Sequence, residues 1–281
     1  MSSRVQIGVV GCGLLGSALA DRYLAAGFGV LGFDIDPETT AKFPGDCAAS
    51  LQELRECGRI VLCLPNSRIS AGVLAELDLN SETIVIDSTT GDPDEMSGFA
   101  RMLAPRGVGY LDAAIGGSSK QVRAGEAIAI VGGNEFAFEA CQPLFATFAS
   151  RTFHVGEAGS GARMKLVLNL VLGLNRAVLA EGLTFATRSG IDPALALEIL
   201  KAGPAYSKAM DVKGRKMLTG DFTPEARLSQ HLKDVRLILD QARKQDKRLP
   251  LSELHRALLE KVEAAGFGAL DNSAIVKAFS R

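Results

Sequence analysis

A chain of 281 residues with 47% hydrophobic and 22% charged residues is long enough for about two domains and too apolar to be disordered. Its formal net charge of −1 gives no support to a nucleic-acid or anionic-membrane partner. Cys12, Cys47, Cys57, Cys63 and Cys141 form no Cys-x-x-Cys pair, and His154, His231 and His255 are scattered, so a disulfide framework and a metal site are not expected.

A strand-like run at residues 5–10 starts almost at once, which leaves no room for a signal peptide. We find no uninterrupted apolar stretch long enough to span a bilayer, and the odd cysteine count suits a reducing compartment; a cytoplasmic location is expected. Further strands are predicted at 29–33, 59–64, 83–87, 109–113, 127–131 and 152–155. Most are short apolar runs without strict alternation, as in strands of a parallel sheet buried on both faces. Helical segments such as 17–26 and 68–77 fall between them. This alternation predicts a doubly wound α/β domain over residues 1–160.

Residues 161–281 read as all-α. Residues 162–189 form one long helix whose middle, Leu166 to Leu174, is apolar nearly all round and is expected to be buried, between domains or between subunits. Asp192-Pro193 opens another helix as N-cap and first residue, and Thr223-Pro224 is read the same way. Leu228, Leu232, Val235, Leu239 and Ala242 then repeat at helical spacing. Helices at 252–265 and 273–279 follow, and Arg243, Lys244, Lys247 and Arg248 read as a solvated helix end.

Gly11-Cys12-Gly13-Leu14-Leu15-Gly16 is a Gly-x-Gly-x-x-Gly run that follows a buried strand and opens a helix. In that context Gly11 allows the tight turn, Gly13 admits a pyrophosphate to the backbone, and Gly16 lets helix and strand approach. The N–H groups of Leu14 and Leu15 stand at the helix start, where phosphates bind. Asp34 ends the second strand, placed to accept from adenosine ribose hydroxyls or else merely to cap the turn before Asp36-Pro37. No Arg or Lys lies between Gly29 and Ala41 to receive a 2′-phosphate, so NAD is expected over NADP. Leu64 and Pro65 at one later strand end, and Thr90 in the loop from Asp87 to Pro93 at another, are expected to complete the cofactor cleft; a plain turn explains the second equally well.

Gly159-Ser160-Gly161 breaks the chain before the long helix, and Lys165 and Asn169 follow on one helical face. Either Lys165 reaches out to water and Asn169 makes a structural hydrogen bond, or the pair does chemistry. Hydride transfer between an alcohol and a nicotinamide needs a proton to join or leave the same oxygen, and no histidine is well placed in the sequence for it. A lysine serves if its surroundings lower its pKa. Asn169 is then expected to hold the reacting oxygen or the lysine amine.

These motifs resemble the β-hydroxyacid dehydrogenases, a family that includes 3-hydroxyisobutyrate dehydrogenase, tartronate semialdehyde reductase and glyoxylate/succinic semialdehyde reductases. The resemblance covers essentially the whole chain. Gly159-x-Gly161-x-x-x-Lys165-x-x-x-Asn169 is similar to the family's catalytic signature. Asp87 to Pro93 resembles its Asp-x-Ser-Thr-x-x-Pro loop, with Thr89 in place of the serine. Lys233-Asp234 resembles its C-terminal pair, whose lysine approaches the cofactor, and Asp271-x-Ser273-Ala274 its closing motif. The substrate loop departs: Asp112-Ala113-Ala114-Ile115-Gly116-Gly117-Ser118 carries Gly116 where the family has serine and Ser118 where it has a second glycine. The resemblance implies that Gly116, Gly117 and Ser118 bind a substrate carboxylate together with Lys165 and Asn169. Lys120 and Arg123 either recognise a further anionic group or are surface charges.

The implied fold is a Rossmann domain joined by the long helix to an all-α domain, with the active site in the cleft and assembly as a homodimer or homotetramer. The implied activity is hydride transfer between NAD(H) and a small 3-hydroxy acid or the matching semialdehyde. A non-catalytic dinucleotide-binding scaffold or redox sensor, and an imine reductase-like enzyme, are the alternatives; Lys165 argues against both, because the relatives of each kind lack the lysine.

Overall fold

Short apolar runs punctuated by Gly, Asp and Pro form an eight-stranded sheet in the computed structural model, which describes residues 6–279. In chain order the first part holds β1 (Gln6–Val10), α1 (Leu14–Ala25), β2 (Gly29–Phe33), α2 (Pro37–Thr40), β3 (Asp46–Cys47), β4 (Arg59–Leu62), α3 (Ser67–Glu76), β5 (Ile84–Asp87), α4 (Pro93–Leu103), β6 (Gly109–Gly116), α5 (Ser119–Ala124), β7 (Ala127–Gly133), α6 (Glu135–Phe148) and β8 (Ala149–His154). Residue 5 of the first predicted strand lies outside the described residues. The 29-residue α7 (Ser160–Arg188) follows. Two compact units result, Met1–Lys165 and Leu166–Arg281, divided inside α7.

The strand order in the first unit is β3-β2-β1-β4-β5-β6-β7-β8. The order reverses between β1 and β4, so the chain leaves their paired C-terminal ends toward opposite edges of the sheet, the place where such sheets take ligands. Neighbouring residues alternate between two cores. Val9, Val61, Ile86 and Leu111 pack with Leu19, Tyr23, Phe145 and Phe148 on one face. Val10, Ile60, Val85 and Tyr110 pack with Leu74, Met96, Phe99 and Leu103 on the other. Both faces being covered, the strands lack the apolar–polar alternation of a half-exposed sheet. One expectation is corrected: β7 runs antiparallel to β6. The link between them holds only the six-residue α5, too short for a parallel crossover.

Asp-Pro pairs set helix starts. Asp36, Asp92 and Asp192 each accept a hydrogen bond from the N–H two residues on, and the following proline supplies the first helical φ without an N–H to leave unsatisfied.

The second unit continues α7 and adds α8 (Pro193–Ala202), α9 (Lys208–Thr219), α10 (Leu228–Lys244), α11 (Pro250–Val262) and a closing 3-10 turn, Asn272–Ala278. Leu228, Leu232, Val235, Leu239 and Ala242 are all buried, as their spacing predicts. Thr223-Pro224 does not open α10, which starts four residues beyond the proline at Leu228. That segment is instead held by Asp271, whose Oδ2 accepts from Glu225 N–H (3.0 Å) and Lys213 Nζ (2.9 Å) while Oδ1 accepts from Ser273 N–H and Oγ.

On α7, Val167, Val171, Val178 and Phe185 are exposed on the single chain, while Leu179, Ala180 and Leu183 enter the second unit's core. One expectation for this helix is corrected. By length and composition it is apolar enough to cross a membrane. Its inner face accounts for part of that hydropathy, since it packs against α9, α10 and α11 residues. Gly173 lies where any Cβ would collide with the His231 ring, which stands beside His255 with ring centroids 5.2 Å apart.

Candidate active site

The glycine loop is shaped by close approach. Gly11 has φ +94°, and a Cβ there would strike the Cys63 carbonyl. A Cβ on Gly16 would strike the Gly11 carbonyl. Gly13 differs, with open space where its Cβ would stand. No side chain caps α1, so the N–H groups of its first turn, at Leu14 and Leu15, face that opening. Gly11 and Gly16 are thus positions of close backbone approach and Gly13 leaves open space at a helix start, the kind of end that takes phosphates.

Asp34 follows β2 immediately. Its Oδ2 accepts from Cys12 N–H (2.8 Å) and its Oδ1 from Asp36 N–H (3.0 Å). The carboxylate therefore ties the glycine loop to the β2 turn, the turn-capping role of the two that the sequence leaves open. At the next strand end Leu64 N–H donates to Thr89 Oγ1 (3.1 Å), which also lies 3.3 Å from Ser70 Oγ. Thr89 is buried and fixes Leu64, which Pro65 follows; Thr90, beside Thr89, is half-buried.

The start of α7 is pressed onto β6. Gly159 has φ +94°, and a Cβ there would strike Ser97; a Cβ on Gly161 would strike the Asp112 carbonyl. Asp112 accepts from Gly159 N–H with Oδ1 (2.7 Å) and from Ala162 N–H with Oδ2 (2.6 Å). Burial pushes its carboxyl up to about 6, against the downward pull of those two N–H groups. On the neighbouring strand, burial also raises Asp87, which accepts from the Tyr110 hydroxyl (3.0 Å).

Lys165 is half-buried, and its Nζ donates to the Ile115 carbonyl (2.7 Å), one residue before Gly116. This brings the predicted acid/base to the end of β6, where the predicted substrate loop begins. Within that loop Ser118 is engaged locally: its Oγ accepts from Gln121 N–H (3.3 Å) and its N–H donates to Gln121 Oε1 (3.0 Å), a capping box for α5. Gly116 and Gly117 carry no side chain and present backbone only. Arg123 pairs with Asp21 (2.7 Å) and Lys120 is exposed.

In the second unit Asn169 is buried, and its Nδ2 donates to Asp234 Oδ2 (3.0 Å). Lys233 Nζ lies 3.3 Å from Asp234 Oδ1. Asp234 thus orders both, a role the sequence did not assign. Asp112 and the Ile115 carbonyl were missed as well. The signal for Asp112 was a lone acid inside an apolar strand, which needs partners when buried; a main-chain carbonyl leaves no mark in a sequence.

Comparisons with known proteins show the family. Residues 6–156 match the family model described as the NAD binding domain of 6-phosphogluconate dehydrogenase. Residues 159–279 match that described as NAD-binding of NADP-dependent 3-hydroxyisobutyrate dehydrogenase. The chain is 29% identical to the 2-(hydroxymethyl)glutarate dehydrogenase of Eubacterium barkeri, covering 100% of this chain and 97% of that one. It is 29% identical to the 2-hydroxy-3-oxopropionate reductase of Escherichia coli (strain K12), covering 98% and 97%. The crystal structure of a 3-hydroxyisobutyrate dehydrogenase from Salmonella typhimurium superposes with a TM-score of 0.88 at 25% identity, covering 97% of this chain and 99% of that one.

Proposed function

This chain belongs to the β-hydroxyacid dehydrogenase family, and on that premise we propose that it moves a hydride between NAD(H) and a small 3-hydroxy acid or the matching semialdehyde, with Lys165 as general acid/base. It is an NAD(P)-dependent oxidoreductase. The observation that carries the finer reading is the Lys165 amine held 2.7 Å from the Ile115 carbonyl, at the mouth of the Gly116–Gly117 backbone.

The nicotinamide, when bound, supplies or takes the hydride. The chain's own residues do the rest. Lys165 Nζ gives a proton to the substrate carbonyl oxygen in reduction and takes it from the alcohol in oxidation. Asn169, one helical turn further along α7, has its amide fixed by Asp234 and so keeps its carbonyl oxygen free to orient a donor. The main chain at Gly116 and Gly117 receives the substrate carboxylate. The Ser118 N–H and hydroxyl serve the α5 cap, which favours recognition by backbone over recognition by a side-chain hydroxyl.

Asp34 supports NAD over NADP. Its carboxylate stands at the end of β2 and repels a 2′-phosphate, and the nearest following cation in the sequence is Lys42. The exposed apolar residues Val167, Val171, Val178 and Phe185, at helical spacing along α7, support assembly as a homodimer or homotetramer. Five free thiols support a reducing, cytoplasmic setting.

The test is NADH oxidation by the purified protein against methylmalonate, tartronate and succinate semialdehydes and glyoxylate. At least one is expected to turn over, and Lys165→Ala is expected to lose most of that turnover, on the order of a hundredfold or more, with NADH binding near normal. Turnover surviving Lys165→Ala within a few-fold would mean that another group moves the proton. NADH binding without turnover of any semialdehyde or hydroxy acid would favour the scaffold or sensor.

A further inference from the structure

One strand holds both the start of α7 and the amine that α7 carries. Asp112 in β6 is 1% exposed, and its two oxygens take the Gly159 and Ala162 N–H groups. Three residues along β6, the Ile115 carbonyl takes Lys165 Nζ. Gly161 sits between, so close that no side chain fits against the Asp112 carbonyl. A helix start carries unsatisfied N–H groups and a partial positive charge, and a carboxylate bonded to two of them is a strong, directional clamp.

We propose that Asp112 is a positioning residue for Lys165: its ionised carboxylate clamps the first turn of α7 to β6 and thereby sets where the Lys165 amine meets the substrate oxygen. This rests on Lys165 being the proton donor. Asp112 touches neither substrate nor cofactor in this role; it acts through the helix.

The clamp depends on charge state. Protonated, the carboxyl keeps one acceptor and turns its other oxygen into a donor facing an N–H, so one of the two bonds is lost. With burial pushing Asp112 up to about 6, that change falls close to neutrality. The charged and titratable groups on the elements around it are Asp87 on β5, Tyr110 on β6, Glu157 before α7, Arg163 and Lys165 on α7, Glu135, Glu139 and Cys141 on α6, and Glu95, Arg101 and Asp94 on α4, the last of which pairs with Arg163 (3.4 Å). Asp87 repels the Asp112 charge and so favours its protonation. In the reducing direction the reaction consumes a proton, so acid does not by itself slow the proton donation. The stability effect has the opposite sign: a carboxyl raised in the fold binds its proton more tightly when folded, so its contribution grows as pH falls from about 6 to about 4. An activity lost in that window is therefore not local unfolding driven by Asp112.

The experiment is the pH dependence of semialdehyde reduction by wild type, Asp112→Asn and Lys165→Ala, with kcat and KM separated. In wild type it is joined by NMR titration of the Gly159 and Ala162 amides. The wild type is expected to lose kcat below about pH 6 at nearly constant KM, and both amides to shift with the same midpoint. Asp112→Asn, which like the acid has one acceptor and one donor, is expected to have kcat lower by about tenfold or more and no acid limb. Wild-type kcat and an unchanged acid limb in Asp112→Asn, with Lys165→Ala inactive, would overturn the clamp and leave the Lys165 assignment standing. An active Lys165→Ala would overturn both. If Asp112→Asn does not fold, the wild-type amides decide: no shift through about pH 6 overturns the proposal.

Discussion

Asp34 joins two residues' worth of work in one carboxylate, because the oxygen that fixes Cys12 N–H sits at the strand end where a ribose is expected. Asp34→Arg removes the repulsion for a 2′-phosphate and adds an attraction. The expected outcome is a rise of tenfold or more in the NADP to NAD ratio of kcat/KM, about 1.4 kcal/mol, measured by steady-state kinetics with each cofactor. An unchanged ratio would remove Asp34 from the selectivity. The overall rate is expected to drop with both cofactors, since the glycine loop loses its tie. The position of Asp34 at the end of β2 was legible in the sequence because strand ends and offsets are local. The Asp112 bonds to Gly159 and Ala162 were not, because they join positions 47 and 50 residues apart, and no local pattern records which apolar strand a helix start will meet. The glycines of Gly159-x-Gly161 carried that information in another form, as positions where no Cβ fits.

Among the elements, α7 shows how a sequence-level pattern blurs two demands. Its apolar residues run nearly all round, which reads as burial, yet they divide into an inner set in the second unit's core and an outer set on the single chain's surface. Val178 is 68% and Phe185 72% exposed. Replacing both with Glu is expected to leave each chain folded, since neither residue is in a core cluster, and to lower the mass measured by light scattering from that of an oligomer to that of a monomer. An unchanged mass would move the interface elsewhere. Other elements were read correctly for simple reasons: Asp192-Pro193 has a cap and a proline in register, and α10 has a clean apolar stripe. Thr223-Pro224 misled because a polar residue before proline also suits an extended segment, and here Asp271 supplies the partners that a helix would have supplied. The antiparallel turn of β7 was hidden because buried strands look alike in either direction.

Across the whole molecule, buried titratable groups in the two units pull in opposite senses on acidification. In the second, burial and the nearby Arg176 bring His255 down to about 4, so its contribution to stability is present above about 6.5 and is lost as pH falls toward 4. Asp271 extends that loss. Burial pushes it up, but Lys213, Ser273 and Glu225 outweigh this and hold it at about 2, so its contribution disappears as pH falls from about 4 to about 2. In the first unit Asp112 works the other way, gaining between about 6 and about 4. Acidification is thus expected to loosen the second unit first. Hydrogen exchange corrected for its intrinsic pH dependence checks this: from about pH 7 to about pH 5, protection is expected to fall more in α10 and α11 than in β4 to β6. An equal fall in both units would contradict it.

The sheet order has a consequence for how the chain is made. β1 pairs with β2, its near neighbour in sequence, and with β4, which is synthesised only after β2, α2 and β3. At ordinary elongation rates the far edge of β1 therefore waits, for roughly a few seconds, before its partner leaves the ribosome. Val9 and Val10, fully enclosed in the finished protein, belong during that interval to an unfinished strand edge, the surface on which a nascent chain is most exposed to mispairing.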